Sequence, residues 1–157
     1  MTKRNVRWLV ALAVVGGLLI AAAWIPLPYY AEPHMSPYST PELAKEYPLI
    51  LSTGRRSVLF FHAEHRNIKS LRELEPYPVL EIHPDTARSL EIRDGDWVWV
   101  ESPNGRCKRQ AKYFPGIDPR VVQTPHGWWL PEKRAEDLFG LWEVNVNQLI
   151  PDGTQAK

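Results

Sequence analysis

Trp97-Val-Trp-Val-Glu-Ser-Pro-Asn-Gly-Arg-Cys-Lys-Arg-Gln-Ala-Lys-Tyr113 is the stretch whose reading decides the fold. Its start alternates, so Trp97 and Trp99 share one face of a strand and Val98 and Val100 the other, and one of these faces is core. Pro103-Asn104-Gly105 is a strong hairpin signal. Arg106 to Tyr113 then reads as the returning strand, with Cys107, Arg109 and Ala111 on one side. Working outward, Asp94-Gly95-Asp96 is a tight turn, His83 to Leu90 a short helix with proline near its start, and Val79 to Ile82 an extended segment. Ile68 to Leu74 has helical spacing, Leu49 to Leu51 reads as a buried strand, and Val121 to Gln123 as another. Seven tryptophans and 15 prolines in 157 residues agree with a loop-rich β domain carrying large aromatic anchors.

Composition removes several classes of function. With 19 basic and 18 acidic residues the net charge is +1, too balanced for general nucleic-acid binding, which needs a basic excess on one face. The single cysteine, Cys107, rules out an intrachain disulfide and a cysteine-built zinc or iron–sulfur site. With no general base in its sequence neighbourhood, it reads as inert packing.

Three segments are expected: residues 1–25 as a signal or membrane anchor, 26–46 as a proline-rich connector, and 47–157 as the one compact domain. Lys3, Arg4 and Arg7 precede an uncharged run from Trp8 that stays apolar to Ile25. As a helix it would extend about 27 Å, close to the hydrocarbon thickness of a bilayer. Ala21-Ala22-Ala23 also offers a signal-peptidase site, so an uncleaved anchor and a cleaved signal are both open. In either case the domain is expected on the periplasmic or extracytoplasmic side, because the basic residues stay cytoplasmic. The connector should be extended, and Ser39-Thr40 before Pro41 should cap a short helical turn.

The candidate ligand residues fall in four places. Tyr47-Pro-Leu-Ile-Leu-Ser-Thr-Gly-Arg-Arg56 puts a strand before a small-residue turn flanked by cations, a good place to hold an anion. His62, His65 and Arg66 follow an apolar stretch. They suit hydrogen bonding to an anionic or heterocyclic ligand, or contacts to surface and loop partners, whereas a metal lacks a third ligand of matching type nearby. Thr124-Pro-His-Gly-Trp-Trp129 places a glycine between a histidine and two indoles, read either as a lid over a flat ligand or as packing at a barrel end. Asn145-Val-Asn-Gln-Leu-Ile-Pro-Asp152 supplies side-chain amides for the edges of a heterocycle.

Taken in order, Ser52-Thr-Gly-Arg55, His62 and Arg66, Glu81-Ile-His-Pro-Asp-Thr-Ala87, Ile92-Arg-Asp-Gly-Asp-Trp-Val98, Ser102-Pro-Asn-Gly-Arg106, Pro125-His-Gly-Trp-Trp129 and Asn145 to Asp152 resemble the molybdopterin dinucleotide-binding C-terminal domain of the dimethyl sulfoxide reductase family. The resemblance implies a mainly β fold, a double-psi β-barrel with short helices. It implies a bis-molybdopterin guanine dinucleotide with molybdenum or tungsten, shared with other domains or a partner. Its contacts would be Ser52, Thr53, Gly54, Arg55, His62, Arg66, His126, Gly127, Asn145, Asn147 and Gln148, with no catalytic residue and no metal ligand among them. Family enzymes carry the metal ligand and second pterin site in domains preceding this one, so the chain is expected to be part of an oxidoreductase, as fragment or small subunit, and not catalytic alone. A large catalytic molybdopterin subunit is the implied partner, alongside the membrane through residues 8–25. The alternative is a membrane-tethered, non-catalytic binding or scaffold module that keeps the barrel and has lost the cofactor.

Overall fold

The computed structural model describes Glu32, residues 36–55 and residues 57–151. Of the two units into which the chain divides, Met1–Glu32 and Pro33–Lys157, the second holds every element below. Its order is α1 (Pro41–Glu46), β1 (Ile50–Ser52), α2 (Lys69–Leu74), β2 (Val79–Ile82), α3 (Pro84–Ser89), β3 (Trp97–Ser102), β4 (Gly105–Tyr113), β5 (Val121–Gln123) and α4 (Leu141–Val144). A kinked 3-10 segment, Ala135–Gly140, and a 3-10 turn, Val146–Leu149, flank α4.

The strands form one sheet in the order β1-β5-β2-β4-β3, curled into a half-barrel with short helices around it. The β3–β4 hairpin is antiparallel, pairing Trp97 with Gln110 and Ser102 with Gly105, as the Pro-Asn-Gly turn requires. The remaining pairings are longer in range. β2 runs parallel to β4, β5 parallel to β1 and antiparallel to β2. Parallel neighbours need a crossover, and α3 with the hairpin provides it between β2 and β4.

The alternation of the hairpin resolves in favour of the valines. Val98 and Val100 pack against the cluster of Leu80, Ile82, Ala87 and Val122, while Trp97 and Trp99 stay 43% and 47% exposed. Outside, the indoles lie under cations instead, with Arg106 over Trp99 and Lys108 over Trp97. On β4, Cys107, Arg109 and Ala111 do point inward together. Burial pushes the Cys107 thiol up from its ordinary value, in keeping with a packing role. A second cluster joins Phe60, Trp128, Leu130 and Val144, and a third joins Cys107 to Val146 and Leu149.

Two local expectations change. Ser36 to Ser39 is a turn, not extended chain, because the Ser36 hydroxyl accepts from the N–H groups of Tyr38 and Ser39. Thr40 occupies the cap position of α1, but its hydroxyl donates to Ser36 O at 3.1 Å and leaves the helix N–H groups without a side-chain cap. Among the described residues no helix is long and apolar enough to cross a membrane. The run Trp8 to Ile25, where a span is expected, lies outside them.

The tip of the hairpin receives the C-terminal segment. Ser102 Oγ and Asn104 Nδ2 both donate to Leu149 O, at 2.8 and 3.2 Å. Gly105 lies so close that a Cβ there would stand 2.7 Å from Gln148 O. Gly105→Ala is therefore expected to cost about 1–3 kcal/mol, the usual range for overpacking, measured as a lowered urea midpoint with unchanged slope.

Candidate functional site

The site forms where two loops meet over the end of the sheet. Past β1, the Ser52 carbonyl accepts from Thr124 N–H at 3.0 Å, and Gly54 bridges to Pro125. This clamps the small-residue turn to the segment leaving β5. The Ser52 hydroxyl accepts from Gly54 N–H at 3.2 Å, which tightens the turn around half-buried Thr53. Arg55 turns inward at its end, where its Nη1 lies 2.7 Å from Glu75 and its Nε 2.8 Å from Glu81. Gln123 Nε2 donates to the other oxygen of Glu81. Arg55 is thus held between two carboxylates, which offset its charge and hold its pKa above the ordinary value although burial opposes this.

Arg66 is placed very differently. His65, at φ 65, turns the chain so that it remains exposed itself while Arg66 becomes 1% exposed. The Arg66 guanidinium lies 3.6 Å from the centre of the Trp128 ring and 4.5 Å from that of Phe60. Its Nη2 donates to His62 O at 2.9 Å and its Nε to Gly127 O at 3.3 Å, while its Nη1 is buried with no partner. Among the described residues no carboxylate lies within ion-pair distance of it. Stacking on a desolvated indole contributes about 2 kcal/mol, and one orphaned polar group costs about 1–3 kcal/mol. Arg66 is thus a buried positive charge on an aromatic bed with one donor to spare. Burial accordingly lowers its pKa to about 10, so it remains a cation at neutral pH.

His62 and His126 close the front of this group. His62 Nδ1 and His126 Nε2 are 2.5 Å apart, a ring-to-ring hydrogen bond that ties the loops together. Gly127, at φ +66, lets the second loop lie against the first, since a Cβ would stand 3.3 Å from Ala63 N and His62 C. Trp128 beside it is a core residue, 1% exposed, and Trp129 donates from Nε1 to Ala63 O at 2.7 Å, so both indoles pack. Between Arg66, His62, His126, Ser57 and Arg55 there is a cavity of about 10 Å³. That is room for one water, so a larger anion needs the histidine contact to part. A larger cavity of about 360 Å³ adjoins it, sharing Arg55 and Ser57 and lined also by Glu75, Tyr77, Gln110 and Lys112.

Asn145, Asn147 and Gln148 sit elsewhere, around the last 3-10 turn. Asn145 Oδ1 accepts from Asn147 N–H at 3.0 Å, and Gln148 Nε2 donates to Trp142 O at 2.6 Å. Asn147 is exposed. Among the described residues no direct hydrogen bond joins this segment to the His62 group; the link runs through Arg109. Buried at 0% exposure, Arg109 donates from Nε to Thr124 Oγ1 and from Nη1 to Val144 O, each at 2.7 Å. Arg109, Glu75 and Glu81 were not among the site residues expected from sequence, and Thr124 was expected only as the start of the His126 stretch. The signal for Arg109 was present, since a cation between Cys107 and Ala111 on an inward face demands acceptors.

A family model described as the molydopterin dinucleotide binding domain matches residues 49–156. The chain belongs to that family. A dopamine dehydroxylase from Eggerthella lenta is 42% identical over 125 residues, which cover 79% of this chain and 12% of that protein. A dimethyl sulfoxide reductase from Haemophilus influenzae is 31% identical over 124 residues, covering 78% and 15%. Among solved structures, the acetylene hydratase from Pelobacter acetylenicus matches with a TM-score of 0.76 at 41% identity, over 83% of this chain and 18% of that one. The chain thus spans less than a fifth of the relatives it matches, and it is a molybdopterin dinucleotide-binding domain of the dimethyl sulfoxide reductase family.

Arg66 carries a pH test of this geometry. Because its folded pKa is lowered to about 10 by burial, the unfolded chain binds more protons above that pH, and stability conferred at this position rises as pH increases through about 10. The difference in urea stability between wild type and Arg66→Met should therefore shift in favour of wild type between pH 9 and pH 11, read as paired urea midpoints. A constant difference would mean that Arg66 is not desolvated in solution.

Proposed function

We propose that this domain holds the phosphate and guanine portions of a bis-molybdopterin guanine dinucleotide, carrying molybdenum or tungsten, inside a larger enzyme. The observation that carries the reading is Arg66: a buried cation without a carboxylate, with a free Nη1, stacked on Trp128 and bordered by two imidazoles. An uncompensated buried guanidinium favours an anionic ligand, and phosphate oxygens are its natural acceptors. His62 and His126 add ring donors, and backbone N–H groups of the Ser52 to Gly54 turn lie on the same end of the sheet. Arg55, already paired to Glu75 and Glu81, holds this turn to β2 rather than lending its charge to the ligand. Asn145, Asn147 and Gln148 supply amides for the heterocycle edges. When bound, the group supplies metal-centred redox or Lewis-acid chemistry.

Two parallel strand pairs within one curled sheet support the double-psi barrel as the finer description of the fold. The share of 12% to 18% of the relatives supports a large catalytic molybdopterin subunit, or the rest of a longer enzyme, as the structure around the domain. The basic residues before the apolar run to Ile25 support placing the domain on the extracytoplasmic side, with the run as anchor or signal.

One observation favours the second reading, a barrel that has lost its cofactor: the His62–His126 contact leaves only about 10 Å³ beside Arg66. Gentle purification of the tagged chain from its native host, with assay of molybdenum, tungsten and oxidised-pterin fluorescence, separates the two. Metal and pterin are expected, and their retention should fall at least tenfold in His62→Ala/Arg66→Ala while the β-type circular dichroism persists. Metal-free and pterin-free wild type would establish the second reading instead.

A further inference from the structure

The proposed contacts come from segments far apart in the chain, and something must hold their spacing. Ser52 to Arg55 leaves β1, His126 and Gly127 follow β5, and Asn145 to Gln148 follow α4. Arg109, in the middle of β4, reaches the base of two of them directly and the third through Thr124. Its Nε donates to Thr124 Oγ1 at 2.7 Å, one residue before Pro125-His126. Thr124 in turn donates its N–H to Ser52 O at 3.0 Å, the residue that opens the turn, and its hydroxyl to Val79 O at 2.8 Å. The Arg109 Nη1 donates to Val144 O at 2.7 Å, the residue before Asn145, and to its neighbour Lys108 O at 3.0 Å.

The chemistry of the side chain suits this task. Arg109 is fully buried, among the described residues no carboxylate pairs with it, and its Nη2 is buried without a partner. A guanidinium so placed is costly, and an apolar side chain of similar volume would fill the space at less expense. What it supplies is a planar fork of fixed angles, able to set the distance between a hydroxyl on one segment and a carbonyl on another. A lysine offers one flexible ammonium in its place. Arg109 also adds positive charge to the interior that Arg66 senses, so the same residue biases the site toward anions.

We propose that Arg109 is a positioning residue for the dinucleotide site, fixing His126–Gly127 and Asn145–Gln148 relative to the Ser52 turn without touching the ligand. The proposal rests on the function proposed above. It is tested on the full chain with guanosine diphosphate as the probe, by calorimetric titration well below the melting temperature. The variants are Arg109→Met, Arg109→Lys and, as a control for destabilisation alone, Ala111→Gly, two residues along on the same buried face. Wild type should bind the probe. Arg109→Met should weaken binding by about 10- to 100-fold, the range typical of supporting-residue loss, with Arg109→Lys in between. Ala111→Gly should lower the melting temperature yet hold the dissociation constant within about twofold, well short of the Arg109→Met loss. Side-chain amide resonances of Asn145 and Gln148 and the His126 imidazole should shift in the Arg109 variants and not in the control. If Arg109→Met does not fold, Arg109→Lys is judged by the same criteria.

Equal binding by wild type and the Arg109 variants would overturn the positioning role while leaving the dinucleotide reading intact. So would a loss matched by Ala111→Gly. Failure of wild type to bind the probe would overturn the dinucleotide reading, and the positioning role with it.

Discussion

β5 is three residues long, and the arrangement of the domain depends on its double pairing. Val121 to Gln123 runs parallel to β1 on one side and antiparallel to β2 on the other, so Val122 meets Leu51 and Ile82 in the same layer. A strand this short contributes few ladder bonds, and its register is set by what it buries. Val122 is 4% exposed within the cluster of Leu80, Ile82 and Ala87, and a slip of one residue would turn it outward. The same register delivers Thr124 to Ser52, Val79 and Arg109, and sends Pro125 to Gly127 across the loop that carries His62 and Arg66. Packing in the sheet and the geometry of the site are one constraint.

The arginines show how one side-chain type takes three roles according to its surroundings. Arg55 is neutralised by Glu75 and Glu81 and acts as a tie between a loop and β2. Arg109 has no carboxylate in contact, donates from Nε and Nη1 to a hydroxyl and carbonyls, and keeps a buried Nη2 without a partner. Arg66 also lacks a counter-charge, rests on two aromatic rings, and keeps a donor unused. What sets Arg66 apart from Arg109, which also carries an unpaired donor, is its place beside the His62–His126 contact, and under the proposed function it is the cation that faces the ligand. A buried guanidinium stacked on an indole is also rigid, which suits recognition of a phosphate at a fixed place.

The histidine pair adds a condition. His62 and His126 hold each other across the two loops, and the gap they leave admits no more than a water. Under the proposed function, engagement of a dinucleotide exchanges one imidazole contact for contacts to the ligand. The adjoining larger cavity, beyond Arg55 and Ser57, gives such a ligand somewhere to extend.

Much of this was legible in the residues themselves. Alternation from Trp97 to Val100, the Pro-Asn-Gly turn and the proline before Asp85 are local signals, and the hairpin and α3 appear where those signals stand. The ordered motifs from Ser52 to Asn145 were enough for the family, because each reflects a local backbone requirement such as a glycine turn or a capped helix. Which face of the hairpin is core was left open by the alternation, since valine and tryptophan are both apolar, and it was decided by the Leu80, Ile82, Ala87 and Val122 cluster, which meets Val98 and Val100. The fates of Arg55, Arg66 and Arg109 were beyond local reading for the same kind of reason. Whether an arginine is paired, stacked or left with a free donor depends on Glu75, Glu81, Trp128, Thr124 and Val144, which reach it only through strand crossovers and loop contacts, 15 to 62 residues away along the chain. Sequence determined the elements and the family; tertiary structure decided where the uncancelled charge lies, because electrostatic compensation is a property of neighbours in space.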